Sequence, residues 1–160
     1  MKSKFSFIVL LSCLVLMSCN SNVLYDKSDN IDKDVWNKDD IKSFTVKVKD
    51  IDRTDSYRFA LNICNTTDYK YNNIYFFVTT IYPDGSMTIR DTVECELVNL
   101  DGSWKGKGKM NLKDNRFWFA KNVQFPQKGE YIFRLEQATR DTNLVGVKSV
   151  GLHIEKMPIK

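Results

Sequence analysis

The chain has 160 residues, of which 24 are Lys or Arg and 20 are Asp or Glu, and its formal net charge is +4. Acidic and basic residues are interspersed, which argues against the basic patch typical of nucleic-acid-binding proteins, so no nucleic-acid partner is predicted. The hydrophobic share of 42% and the charged share of 28% indicate a globular chain and exclude an intrinsically disordered one.

Residues 1–18 have the pattern of a bacterial signal peptide. Two lysines precede an apolar run from Phe5 to Leu16, which is shorter than the stretch of about 20 residues that a membrane-spanning helix needs. The run ends in Leu16-Met17-Ser18-Cys19, which resembles a lipobox: an aliphatic residue, a small residue and then the cysteine that receives lipid. We therefore predict cleavage before Cys19 and its acylation, which supplies enough acyl chains for stable membrane anchoring.

The residues after Cys19 predict where the anchored protein resides. Asn20 is not the aspartate that retains some lipoproteins at the inner membrane. Residues 20–23 also lack an acidic cluster of the kind that resembles a surface-export signal. We therefore predict a lipid-anchored protein of the cell envelope, at the outer membrane and facing the periplasm.

Segment 19–40 is predicted to be a lipidated N-terminus followed by a polar tether. It is rich in aspartate and has few apolar residues to bury. A calcium loop of EF-hand type is excluded because the required glycine and glutamate are missing, and no metal or cofactor is predicted. Trp36 is the exception, and we expect it to pin the start of the domain, residues 41–160, to the core.

From Ser43 onward, apolar residues recur with the two-residue period of β-strands, and no window shows a convincing helical stripe. The alternating segments are 44–48, 57–64, 93–97, 130–138 and 147–154. Residues 73–82 are nearly all apolar or aromatic, which predicts a central strand covered on both faces. Turn sequences at 65–68, 83–86 and 101–103 separate these segments.

Seven or eight short strands with regular turns predict an all-β domain, an antiparallel β-sandwich of immunoglobulin-like type. In the stretch 129–133, Tyr131 stands where immunoglobulin-like domains carry a tyrosine at the corner before their penultimate strand. A jelly roll or a small barrel is the alternative.

No catalytic constellation is recognisable, and we predict that the protein is not an enzyme. Glu94 and Glu96 share a strand face at a backbone spacing of about 7 Å, which inverting glycosidases also use, but any exposed strand with two glutamates has it. His153 is the only histidine, and it alternates out of phase with its apolar neighbours, so it should point away from the core. The chain contains no C-x-x-C, nucleophile-elbow or phosphate-loop motif.

Cys64 and Cys95 are the cysteines that remain after processing. A disulfide between them can form in an oxidising periplasm, whereas free cysteines pack as small hydrophobic residues. The Cα separation decides between these two states, and the sequence leaves both open.

The aromatic residues exceed what a small core needs. Exposed tyrosine and tryptophan rings bind sugars and peptides. Tyr69, Tyr71 and Trp104 therefore form a candidate binding surface, with a glycan as the candidate ligand. Ordinary core and sheet packing is the competing interpretation.

Several segments across the mature chain occur in a recognisable order. They are Asn65–Ile74, Tyr82–Gly85, Asp91–Leu97, Asp101–Gly108, Asn122–Pro126, and the late Gly146 and Val150–Leu152. Their order and spacing resemble the gliding-motility lipoprotein family GldH of the Bacteroidetes. Asp91-Thr92-Val93 also looks like the O-glycosylation motif of that phylum, which makes Thr92 a candidate modified residue.

The resemblance implies a lipoprotein of the envelope machinery for gliding, which is tied to type IX secretion, without known catalytic residues. Only Cys19 carries over as a functional position. Because family members also occur in bacteria that do not glide, an accessory role in envelope assembly or secretion is implied as well. We therefore expect an interaction module that docks other envelope proteins, with a glycan-binding lipoprotein as the alternative.

Overall fold

Two four-stranded antiparallel sheets, packed face to face, form the body of the molecule in a computed structural model that describes residues 22–88 and 90–158. The strands are β1 (Val23–Asn30), β2 (Val35–Asn37), β3 (Lys42–Val48), β4 (Tyr57–Thr66), β5 (Asn73–Ile81), β6 (Asp91–Glu96), β7 (Leu112–Val123), β8 (Gly129–Gln137), β9 (Asn143–Val145) and β10 (Val147–Lys156). The first sheet has the order β1-β10-β4-β7 and the second has the order β3-β8-β5-β6, while β2 and β9 form a separate ribbon. The predicted all-β sandwich is confirmed. Cys19 lies outside the described residues.

The two-residue period of the sequence builds the core between the sheets. In β3, Phe44, Val46 and Val48 are buried while the side chains between them are exposed. The same alternation buries Leu61 of β4 and Leu152 of β10. Each large apolar side chain that leaves water in this way stabilises the fold by roughly 1.5–3 kcal/mol.

Strand β5 is central, as predicted, because it lies between β8 and β6. Only one of its faces is packed: Ile74, Phe76 and Val78 are buried, whereas Phe77 is half-buried on the outer face. The prediction that both faces of β5 are covered by other strands was wrong. The outer face carries no second layer of secondary structure, and the side chain of Arg90 covers Phe77 there instead. The Arg90 guanidinium lies 3.8 Å from the centroid of the Phe77 ring and shields it from water.

The polar segment predicted as a tether is largely structured: Val23–Asn30 forms β1 of the first sheet, and Val35–Asn37 forms β2 of the ribbon. Strand β1 pairs with β10 along its whole length, from Val23 opposite Glu155 to Asn30 opposite Ser149. An edge strand is held by backbone hydrogen bonds, which need no apolar side chains, so composition did not reveal it. Trp36 in β2 is buried and donates its indole N–H to the Asp40 carbonyl oxygen at 2.8 Å, as expected of a residue that pins the start of the domain.

Tyr131 has the contacts of a tyrosine corner. Its hydroxyl donates to the Gln127 carbonyl oxygen at 2.7 Å. Immunoglobulin domains place their last two strands side by side, whereas β10 lies between β1 and β4, and β8 lies in the other sheet. The immunoglobulin-like part of the fold prediction is therefore not established.

The sandwich has two ends, which we call proximal and distal. The proximal end is where the described chain begins, because Lys156 N–H donates to the Asn22 carbonyl oxygen at 2.7 Å. It also carries the loops 49–56, 82–90 and 124–128. The distal end carries the β2–β9 ribbon and the loops 67–72 and 97–111. Strand β10 has 10 residues, so the two ends lie about 30 Å apart.

Candidate functional site

The predicted aromatic surface lies at the distal end but is partly closed. Tyr69 is 4% exposed, and its hydroxyl donates to the Asn73 carbonyl oxygen at 2.9 Å. Burial raises the pKa of Tyr69, and the ring offers no face to a ligand. Tyr71 is half-buried and donates to Asp141 Oδ2 at 3.0 Å, and Trp104 is also half-buried. The glycan surface stays a prediction that depends on Tyr71 and Trp104.

Exposed apolar side chains are concentrated at the same distal end. Most of the large ones in the described chain lie there: Val35, Ile41, Leu100, Met110 and Val145. Leu100 and Met110 are the most exposed, at 111% and 93%. Both belong to the loop between β6 and β7, whose backbone is fixed by a hydrogen bond from Lys105 N–H to the Leu97 carbonyl oxygen at 2.8 Å. Single exposed hydrophobic residues are ordinary, but five of the seven large ones in the described chain share this end, which makes it the candidate contact surface.

A polar cluster lies on the outer face of the first sheet. His153 points away from the inter-sheet core, as predicted, yet it is only 1% exposed. Its Nε2 donates to Glu155 Oε2 at 3.0 Å, and its Nδ1 lies 3.0 Å from Asp26 Oδ2. Trp118 packs edge-on against the imidazole at 5.5 Å between ring centroids. Arg58 stacks on Trp118 at 4.0 Å and donates from Nε to Glu155 at 2.6 Å.

The sequence analysis missed this cluster because its members come from four different strands. Asp26, Arg58, Trp118 and His153 belong to β1, β4, β7 and β10, and only the strand register brings them together. The one available signal was the polar phase of β4 and β10, which places Arg58 and Glu155 on the outer face.

The electrostatics of the cluster are those of a closed ion-pair network. The hydrogen bond from His153 lowers the pKa of Glu155, with a further contribution from Arg58. Partial burial acts to raise the pKa of Asp26, but the nearby His153 and the Arg116 charge outweigh it, and the pKa is lowered. With both carboxylates ionised and the imidazole beneath Trp118, the cluster stabilises the sheet face.

The two cysteines lie on different sheets as free thiols, and the disulfide that the sequence left open is not formed in the structure. Cys64 is on the outer face of β4, beside a groove of about 340 Å³. Burial and the hydrogen bond with Asp114 raise the pKa of Cys64 to about 12. Cys95 is buried in the core, and burial raises its pKa to about 12. A thiol that stays protonated at neutral pH is a poor nucleophile.

The glutamate pair on β6 is exposed and engaged in surface contacts. Glu94 accepts from Asn73 Nδ2 at 2.6 Å, and Glu96 pairs with Lys105. The hydrogen bond from Lys105 lowers the pKa of Glu96, the opposite of the raised pKa that a general acid needs. Thr92 is exposed on the same strand, and its glycosylation stays a prediction.

Within residues 22–88 and 90–158, no group of three or more His, Cys, Asp or Glu side chains is arranged to hold a metal ion. The same part of the chain contains no helix that is long and apolar enough to cross a membrane.

Fold and surface together define a small β-sandwich domain whose exposed apolar side chains lie mostly opposite the end at which the described chain begins. A family model described as GldH lipoprotein matches residues 23–154. The chain belongs to this family, and the family prediction is confirmed. The match begins at the first residue of β1 and ends within β10, so it covers the folded domain.

Two full-length relatives agree with the family. The chain is 32% identical to the gliding motility lipoprotein GldH homolog of Christiangramia forsetii over 164 aligned residues, which cover 98% of each chain. It is 29% identical to the gliding motility lipoprotein GldH of Flavobacterium johnsoniae, over 98% of this chain and 99% of that protein.

Among solved structures, an arabinose-bound α-L-arabinofuranosidase aligns with 72% of this chain and 17% of its own. The identity is 10% and the TM-score is 0.35, so this likeness carries no argument about fold or activity.

Proposed function

We propose that this protein is a lipid-anchored, non-enzymatic interaction module of the cell envelope that serves the gliding machinery or the related type IX secretion machinery. The observation that carries the proposal is the separation of the two ends of the sandwich. The chain enters at the proximal end, and the exposed apolar side chains gather at the distal end, about 30 Å away. The names of the full-length relatives support the link to gliding motility.

Anchoring at Cys19 determines which end of the sandwich lies at the membrane. Cys19 precedes Asn22 by three residues, and a chain of that length reaches at most about 11 Å. The proximal end is therefore held close to the lipid surface, and the distal end is presented to other envelope proteins. Confinement to a surface raises the effective concentration, so weak contacts at Leu100 and Met110 suffice for docking.

The chemistry of the candidate catalytic groups supports a non-enzymatic role. His153 is covered by Trp118, the Cys64 thiol stays protonated, and the pKa of Glu96 is lowered. None of these groups combines access with the protonation state that acid, base or nucleophilic catalysis requires.

Membrane location is tested by Cys19→Ala in the native host. We expect the variant to leave the membrane fraction, and persistence in that fraction would refute the anchor. Asn20 predicts an outer-membrane location that faces the periplasm. Density-gradient separation tests the membrane, and the access of protease to intact cells tests the face.

Docking is tested by Leu100→Asp with Met110→Asp, against Met87→Asp as the control at the proximal end. Cells that carry the double variant should spread as poorly as cells without the protein. The amount of the variant protein and its unfolding midpoint should equal those of the wild type. A photo-crosslinker at position 100 should form adducts with an envelope protein. Wild-type spreading and secretion by the double variant would refute distal docking.

The glycan alternative is tested by calorimetry with envelope polysaccharides. We expect no binding heat. Saturable binding that Tyr71→Ala or Trp104→Ala abolishes would replace the docking proposal with the glycan one.

A further inference from the structure

Strand β7 is the outermost strand of the first sheet, and most of its outer edge is unpaired. It has 12 residues, and along that edge Asp114 exchanges two backbone hydrogen bonds with Lys107, at 2.7 and 3.0 Å. Outward-facing backbone groups alternate along a strand, so the N–H and C=O groups of Arg116 and Trp118 point to the same edge. The alternation is interrupted after Trp118, where the register with β4 shifts by one residue. Within the described chain, these four groups have no backbone partner on that side.

An apolar slot opens beside this edge, between the two sheets. It has a volume of about 220 Å³, and its apolar lining includes Phe59, Val78, Phe119, Ala120, Phe125 and Phe133. The polar side chains that line it are Thr80, Thr88, Asp91 and Gln124. On the side of the second sheet, β6 begins at Asp91, opposite Val78. Beyond it, the returning segment pairs with the end of β5, where Thr88 N–H donates to the Thr80 carbonyl oxygen at 2.9 Å. Toward the distal end, the segment that contains Lys105 and Lys107 closes the same side by reaching from Leu97 to Asp114.

The edge is also basic. Residues 101–123 contain six Lys or Arg and two Asp. Lys105 and Arg116 are paired with Glu96 and Asp26. The remaining cations, Lys107, Lys109, Lys113 and Lys121, form no ion pair with another described residue.

We propose that the free edge of β7 is a strand-addition site for an extended, acidic segment of a partner protein. The segment pairs with the backbone of Arg116 and Trp118 as a fifth strand, and one of its apolar side chains enters the slot. Backbone hydrogen bonds supply affinity in this mode of recognition, and the slot and the lysines supply specificity. A second copy of this chain is disfavoured because its own basic β7 would face Lys121 and Arg116. This inference rests on the proposed function, since it names a partner class for the same binding domain.

The test uses the full chain purified in detergent and a fluorescein-labelled synthetic peptide in which valine alternates with glutamate around one central phenylalanine. Fluorescence polarisation measures binding at low salt. Two further peptides carry backbone N-methyl groups on alternate residues, one peptide on its odd-numbered residues and the other on its even-numbered residues. Only one of these two patterns removes the hydrogen bonds to β7, so one methylated peptide should lose binding and the other should retain it.

Two protein variants test the charge and the slot. Lys121→Glu should weaken binding about fivefold at low salt. Lys27→Glu, the same charge change on β1 at the opposite edge of the sheet, should leave affinity unchanged. Ala120→Phe fills the slot and should abolish binding of the phenylalanine peptide, while a peptide with alanine at the centre keeps its weaker affinity.

Three results would each overturn the proposal: no saturable binding, equal binding of both methylated peptides, or equal affinity for a peptide with lysine in place of glutamate. A dimer in sedimentation that Lys121→Glu strengthens would assign the edge to a second copy instead. Failure here leaves the proposed function standing if Leu100→Asp with Met110→Asp still abolishes docking. Failure of that distal test, with peptide binding intact, would leave β7 as the docking surface.

Discussion

His153 is held between two carboxylates on the outer face of the first sheet, with its ring nitrogens 3.0 Å from oxygens of Glu155 and Asp26. Nε2 makes a hydrogen bond with Glu155, whereas the buried Nδ1 lies close to Asp26 without hydrogen-bond geometry. The Glu155 hydrogen bond matters because an unpaired buried polar group costs about 1–3 kcal/mol. Trp118 excludes water from the site, and Arg58 covers Trp118. Removing one member therefore affects the others.

The pKa of Glu155 predicts an acid-sensitive contribution to stability. The hydrogen bond from His153 lowers this pKa below its ordinary value of 4.5. The unfolded chain therefore binds the proton more tightly than the folded one, so the stabilisation is complete above about pH 4.5 and is lost as pH falls through the lowered pKa. Glu155→Gln should cost about 1 kcal/mol near neutral pH and reduce the fall in urea stability between about pH 5 and pH 3.

Glu130→Gln on β8 is the control for this measurement, because Glu130 makes an exposed ion pair with Lys47 at 2.9 Å. Its stability profile should follow the wild type within about 0.5 kcal/mol. Because Asp26 also has a lowered pKa, Glu155→Gln should flatten the acid slope without removing it. An unchanged slope would show that the His153–Glu155 hydrogen bond does not stabilise the fold.

At the residue scale, the sequence predicted orientation but not environment. The phase of β10 placed His153 on the outer face, which is where it lies. Its burial depends on Trp118, which reaches it only through the pairing of β4 with both β7 and β10. Tyr69 illustrates the same limit, because an aromatic surplus does not show which rings are inside.

At the scale of elements, the alternation of apolar and polar residues located the strands that have one solvent-exposed face. It missed β1, which lacks this alternation. Strands β3 and β4 were predicted from their buried apolar phase. Strand β1 is polar and remained hidden because its hydrogen bonds come from the β10 backbone. The apolar run in β5 overstated its burial, since Arg90 covers Phe77 in place of a second layer.

Gly151 makes the docking of β1 testable. This residue of β10 faces β1, and a Cβ there would clash with the Ser28 hydroxyl and the Lys27 carbonyl oxygen. Because one contact is with backbone, Gly151→Ala should displace β1 at a cost on the order of 2 kcal/mol. Limited proteolysis should then cut after Lys27 while the rest of the domain stays resistant.

Gly102→Ala is the matched control, since a Cβ at Gly102 meets nothing within 4 Å. Its positive φ of 83° makes alanine strained by about 1 kcal/mol, yet β1 should remain protected from trypsin. If Gly151→Ala leaves Lys27 as resistant as in the wild type, the close contact between β1 and β10 is wrong.

At the scale of the whole molecule, the strand topology determines which end of the sandwich the proposed anchor at Cys19 would hold at the membrane. Both the entry of β1 and the exit of β10 lie at the proximal end, so an anchor at Cys19 holds that end alone. The alternating strands predicted the sandwich, which is confirmed, and the anchor at Cys19 stays a prediction. The sequence could not predict which loops share an end, because that follows from the path of every strand between the two sheets.

This orientation predicts a difference between two exposed methionines. Met87 lies in a proximal loop and Met110 in a distal one, and both side chains are exposed. Each is replaced by cysteine in separate variants and labelled with a fluorophore, while Cys64 and Cys95 react slowly because burial raises the pKa of each thiol to about 12. In vesicles that contain the acylated protein and a lipid with a quenching headgroup, the label at position 87 should be quenched strongly. The label at position 110, about 30 Å farther along the strands, should stay bright. Cys19→Ala protein should show no quenching at either position, and equal quenching of both labels in the acylated protein would mean that the domain lies on its side.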